Sequence, residues 1–105
     1  MICDTACALI QRPMEAVFAF MADPATMAVW NIGTVDVTTG PDGISRGRSV
    51  DSGAEVFIHV QPHQNQMLID YLVGTDPSAL TPRIFARVLP GQVMEAEGAV
   101  LLMSA

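Results

Sequence analysis

A chain of 105 residues is enough for one domain, taken here as residues 1–105, and too short for two. Half of its residues are hydrophobic and 15% are charged, which excludes a disordered chain, and at this size about 65% of the unfolded surface can be buried without the help of disulfides or metal. The net charge is −6, there is no lysine, and Arg12, Arg46, Arg48, Arg83 and Arg87 form no run, so the surface repels phosphate backbones and nucleic acid is excluded as a partner.

No run of about 20 apolar residues is present, so no integral membrane segment is expected. The opening stretch MICDTACALIQR lacks a basic region and carries Asp4, unlike a signal peptide, and the expected location is the cytoplasm. Cys3 and Cys7 on one strand would stand about 13 Å apart, too far for a disulfide, and read as buried free thiols. His59 and His63 have no cysteine near them in sequence, so no metal is expected, and nothing suggests a cofactor.

Residues 3–11 read as a strand, stopped by Arg12-Pro13. Pro13 suits the first turn of a helix and Glu15 complements its dipole. Met14, Val17, Phe18 and Met21 then fall at i, i+3, i+4 and i+7, one helical face. Asp23-Pro24 breaks this helix and starts a second, short one, with Asp23 as N-cap. Met27 and Trp30 share its inner face, and Asn31 and Gly33 end it. The remainder reads as strands: TVDVTT (34–39), GRSVDS (47–52), AEVFIHVQ (54–61), QMLIDYLVG (66–74), RIFARVL (83–89) and QVMEAEGAVLLM (92–103). GPDG (40–43) and PHQN (62–65) are turns, and TDPSALTP (75–82) is a loop.

For the last hairpin, a loop of Pro90-Gly91-Gln92 pairs Arg87 with Glu95, Val88 with Met94 and Ala86 with Ala96, giving one apolar face and one charged face. The exposed Arg87–Glu95 pair would be worth about 0–1 kcal/mol. On this register one apolar surface runs through Val56, Ile58 and Val60, then Met67, Ile69, Tyr71 and Val73, then Ile84, Ala86 and Val88, then Met94, Ala96, Gly98, Val100 and Leu102. The opposite face carries Glu55, His59, Gln61, Asp70, Arg83, Arg87, Glu95 and Glu97. The expected fold class is α+β: a curved antiparallel sheet of about six to seven strands, with two short helices after the first strand.

The order and residues of RPMEAVFAFMADPATMAVWN, GISRGRSV, VQPHQNQMLIDYLVG and RVLPGQVMEAEGAVLL resemble the START-related helix-grip (SRPBCC) superfamily. That superfamily includes birch-pollen-allergen type proteins, polyketide cyclases and aromatases, and many unassigned bacterial proteins. The resemblance implies a sheet gripping a helix around an apolar cavity. It also implies a long C-terminal helix, which a sequence stopping at Ala105 does not supply. The expectation is therefore a shortened form, or a homodimer that covers the open sheet face.

The candidate ligand-binding residues are Trp30, Ile58, Met67, Ile69, Tyr71, Ile84 and Met94. Trp30 carries an N–H that favours a cavity rim. Methionine adapts to varied ligands, and a buried Tyr71 hydroxyl needs a partner. His59 lies diagonal to Asp70, as a base lies to its orienter, but on the face away from the cavity. No nucleophile elbow, phosphate loop or dinucleotide fingerprint is present, and no catalytic residue is assigned. The leading expectation is binding of a small hydrophobic ligand such as a lipid, isoprenoid or polyketide-like compound. The alternatives are a metal-free cyclase or aromatase-type enzyme, and an interaction protein that dimerises through the open face.

Overall fold

Seven antiparallel strands form one sheet in the order β1-β7-β6-β5-β4-β3-β2, and two helices sit between the strands that become its two edges. This computed structural model describes residues 5–31 and 33–104, apart from the side chain of Met94. The strands are β1 (Thr5–Ile10), β2 (Thr34–Thr39), β3 (Ile44–Ser49), β4 (Glu55–His63), β5 (Leu68–Gly74), β6 (Thr81–Pro90) and β7 (Ala99–Ser104). The expected α+β, helix-grip architecture is the one observed.

The interrupted helical segment forms as its sequence dictates. α1 (Met14–Ala22) follows Pro13, holds Glu15 in its first turn, and buries Val17, Phe18 and Met21. Asp23 is extended, and its side chain accepts a hydrogen bond from the Ala25 N–H at 3.0 Å. Pro24 opens a single 3-10 turn that runs into α2 (Met27–Trp30). Such a cap satisfies an N–H that the helix start leaves free. Met27 is fully buried, and the Asn31 side chain accepts from the Gly33 N–H as the chain leaves.

Several strand boundaries differ from expectation. β3 starts at Ile44, ahead of Gly47. β4 continues through Pro62 and His63, and the reversal falls on a 3-10 turn at Gln64–Gln66, with Met67 left-handed at φ 50°. Pro62 is tolerated because the β3 pairing ends at Ile44↔His59, so its ring occupies an edge where no N–H is required.

The last hairpin departs most. β6 pairs with β7 as Arg87↔Leu102, Val88↔Leu101, Ala86↔Met103 and Pro90↔Ala99. The three-residue loop and the Arg87–Glu95, Val88–Met94 and Ala86–Ala96 pairs are overturned. Residues 91–98 make a compact loop instead, with a 3-10 turn at Gly91–Met94 and left-handed residues at Glu95 and Gly98. Its closure is the Gly91 N–H to Gly98 carbonyl bond at 2.9 Å. The face of the strand inverts as a result. Ala99, Leu101 and Met103 join the cluster under the helices, where Ala96, Gly98, Val100 and Leu102 were expected, while Val100 is buried on the other row of the strand. AVLLM is apolar on both rows, so hydrophobic pattern alone does not select between the registers.

The core fills the concave side, where Val17, Phe18, Met21 and Met27 pack on Ile58, Val60, Ile69, Tyr71, Ala86, Val88 and Ala99. Cys7, expected to be buried, is an exposed free thiol on edge strand β1, while Cys3 lies outside the described residues. Edge strand β1 has one neighbour, β7, and the row it shares with Leu9 (50% exposed) faces away from the core.

Candidate functional site: the concave wall at Trp30 and Tyr71

Tyr71 sits in the middle of β5, opposite Val60 and Ile84, with 1% of its surface exposed. Its hydroxyl donates to the main-chain carbonyl of Met21 at 2.7 Å. That carbonyl belongs to the last turn of α1, where helix carbonyls lose their own partners, so Tyr71 closes the helix end from the sheet. Burial pushes the phenol pKa well above its ordinary value.

Trp30, the last residue of α2, meets Tyr71 edge to face, with ring centroids 5.4 Å apart and planes at 66°. This geometry sets the positive ring edge against the negative ring face. The indole Nε1 is buried and has no hydrogen-bond partner among the described residues. Ile58 and Ile69 are buried beside the pair, and Met67 and Ile84 pack half-buried against the same cluster. Six of the seven predicted ligand residues thus come together on one wall. The side chain of Met94 lies outside the described set, and its backbone belongs to the 91–98 loop rather than to a strand beside Val88.

Sequence reasoning passed over Ser45. It is fully buried on β3 opposite Ile58, and its hydroxyl pairs with that of Thr39 at 2.9 Å. Its alternation with Gly47 was the available signal, since Ser45 and Gly47 share the inner face and keep it thin. A Cβ at Gly47 would stand 2.5 Å from Thr34 Cγ2, so β2 passes too close for any side chain there.

The convex side holds the remaining polar groups. Asp70 pairs with Gln61, which makes His59 and His63 equally diagonal to it, and it is His63 Nε2 that lies 3.1 Å from Asp70 Oδ2. The partner of Asp70 is therefore His63 at the end of β4, not His59, and His63 belongs to the strand rather than to the expected turn. The pair is substantially exposed and is a surface contact. Arg46 lies over the Phe57 ring at 5.5 Å, and Arg48 pairs with Asp36. No group of three or more His, Cys, Asp or Glu suited to a metal occurs among the described residues, and no helix is long and apolar enough to cross a membrane.

Two recesses open at the β1–α1 junction. One, of about 360 Å³, is lined by Ile10, Arg12, Ala16, Val17 and Phe20. The other, of about 510 Å³, is lined by Gln11, Arg12, Pro13, Glu97 and Gly98. Neither lining includes a predicted ligand residue.

No protein-family model matches the chain, and no curated protein matches it by sequence. Solved structures do match its fold. A Deinococcus radiodurans protein is similar with a TM-score of 0.70 and 15% identity, covering 99% of this chain and 80% of its own. An uncharacterised Bacillus thuringiensis protein gives 0.68 at 13% identity, over 98% and 75%. The ZhuI aromatase/cyclase from Streptomyces sp. R1128 gives 0.66 at 14% identity, over 98% of this chain and 65% of that one. At such identities the likeness establishes the fold: a helix-grip sheet, shared with an aromatase/cyclase.

Proposed function

We propose that the protein binds a small hydrophobic ligand, of lipid, isoprenoid, aromatic or polyketide-like character, between the sheet and the helices. The observation that carries this reading is partial cover of one continuous apolar wall. Buried Ile58, Ile69 and Tyr71 are bordered on the same face by half-buried Met67, Val73, Ile84, Leu101 and Met103. Methionine and branched aliphatic side chains adapt to varied apolar shapes. Covering a further 300 Å² or so of apolar surface would contribute roughly 7 kcal/mol before the costs of association. The occurrence of an aromatase/cyclase on the same fold supports a ligand in this region.

The enzyme alternative is less well supported. The one phenol on the wall has its proton engaged by the Met21 carbonyl and its pKa raised, which makes it a poor acid–base group at neutral pH. The interaction alternative draws on the same half-buried residues, which a second copy could cover. Native mass spectrometry of the purified protein distinguishes the readings. A protomer carrying added mass of lipid or polyketide size is the expected result. A dimer free of adduct would favour the interaction protein and overturn the binding reading.

A further inference from the structure

Among the described residues, one buried side-chain polar atom at the wall has no partner, and it is a donor. The Tyr71 hydroxyl donates to Met21, one of the Ser45 and Thr39 hydroxyls donates to the other, and Trp30 Nε1 is the buried side-chain polar atom left with no partner among the described residues. A buried N–H left unpaired is destabilising, so any ligand that brings an acceptor to it regains that loss. The sign of the ligand's charge follows from where the cations are. Arg46, Arg48 and Arg87 sit opposite Phe57, Glu55 and Leu102, in the rows that face away from the core. Arg12 donates to the Gln11 carbonyl, and Arg83 is exposed at the β5–β6 register shift. No arginine belongs to the core cluster, and the chain as a whole is acidic. A carboxylate on the wall would be desolvated with no counter-charge.

Resting on the binding reading above, we infer that the ligand is a neutral apolar molecule bearing a hydrogen-bond acceptor, such as a ketone, ester or ether oxygen, that takes the Trp30 Nε1–H. This sets it apart from a pure hydrocarbon and from a fatty-acid anion alike. Trp30 acts as the donor that orients the ligand, while its ring and the half-buried Met67 and Ile84 supply the apolar contact.

Three naphthalenes of similar size test this: 2-acetonaphthone, 2-isopropylnaphthalene and 2-naphthoate, measured by equilibrium dialysis against the wild-type protein and Trp30→Phe. The expected result is that the ratio of ketone to hydrocarbon affinity falls about threefold to tenfold in Trp30→Phe, the worth of one neutral hydrogen bond. Naphthoate is expected to bind the wild type more weakly than the ketone. The chain has one tryptophan, so the wild type also gives a single indole N–H resonance. This resonance should move downfield with the ketone and not with the hydrocarbon, a readout that needs no variant to fold. An unchanged affinity ratio, or equal shifts with both probes, overturns the donor role while leaving the pocket standing. Naphthoate binding as tightly as the ketone overturns neutrality. Binding of none of the three overturns the pocket and this inference together.

Discussion

The phenolic oxygen of Tyr71 lies 2.7 Å from the main-chain oxygen of Met21 and ties the centre of β5 to the last turn of α1, fifty residues earlier. One bond thus sets where the helix ends on the sheet, and with it where Asp23-Pro24 turns and where Trp30 arrives. Tyr71→Phe keeps the ring and the edge-to-face contact but leaves the Met21 carbonyl buried without its donor. Stability should fall by about 1–3 kcal/mol. Urea denaturation is expected to show a lower midpoint with an unchanged slope. An unchanged midpoint would remove the bond from the account of how the helix is held.

The same burial makes a prediction about alkaline pH. The folded-state pKa of Tyr71 is raised above its unfolded value of about 10. The folded protein therefore holds the phenolic proton more tightly than the unfolded chain does. This contribution is fully present below pH 10 and is lost as pH rises beyond it. Tyr71 is the only tyrosine, so phenolate absorbance reads it alone. Absorbance should rise only together with the loss of the Trp30 near-UV signal, as a cooperative step. A simple titration near pH 10 with the fold intact would contradict the buried phenol.

Much of this arrangement was legible in the sequence. The helical face of Met14, Val17, Phe18 and Met21 follows from its i, i+3, i+4 and i+7 spacing, the cap at Asp23 from the Asp-Pro step, and the inner row of β4 from Val56, Ile58 and Val60 alternating with Glu55, His59 and Gln61. β7 was not legible for the opposite reason. Val100 and Leu102 are as apolar as Leu101 and Met103, so pairing parity rested on the loop, and the loop rests on two left-handed residues, Glu95 and Gly98. His63 was missed because two histidines are equally diagonal to Asp70. The Tyr71–Met21 and Trp30–Tyr71 contacts join distant segments, and no local pattern encodes them.

Gly98 makes the loop testable. Its φ is +91°, and a Cβ would stand 2.3 Å from the Ile10 carbonyl oxygen and 3.0 Å from Gln11 Cα, all main-chain atoms that cannot swing away. Gly98→Ala should destabilise by about 2–4 kcal/mol, combining left-handed strain with a backbone collision. Gly43 is the control. Its φ is +80° with nothing within 4 Å of a Cβ, so Gly43→Ala carries the strain alone, about 1 kcal/mol. Equal losses in chemical denaturation would mean that β7 does not start against the end of β1.

The final contrast is between a residue inside the grip and a charge outside it. Met27 is fully buried at the start of α2, within the cluster that includes Tyr71 and Ile69. Met27→Ala removes its buried thioether and leaves a cavity, at an expected cost of about 2–5 kcal/mol. Arg48 pairs with Asp36 on the sheet edge, but both side chains are mostly exposed, at 59% and 67%. Water and salt screen such a pair, so Arg48→Ala should change stability by less than about 1 kcal/mol. Thermal and urea midpoints measured side by side check both. The site follows the same division. If Met27→Ala is as mild as Arg48→Ala, α2 is not clamped to the sheet, and Trp30 loses the fixed position from which its N–H would meet a ligand.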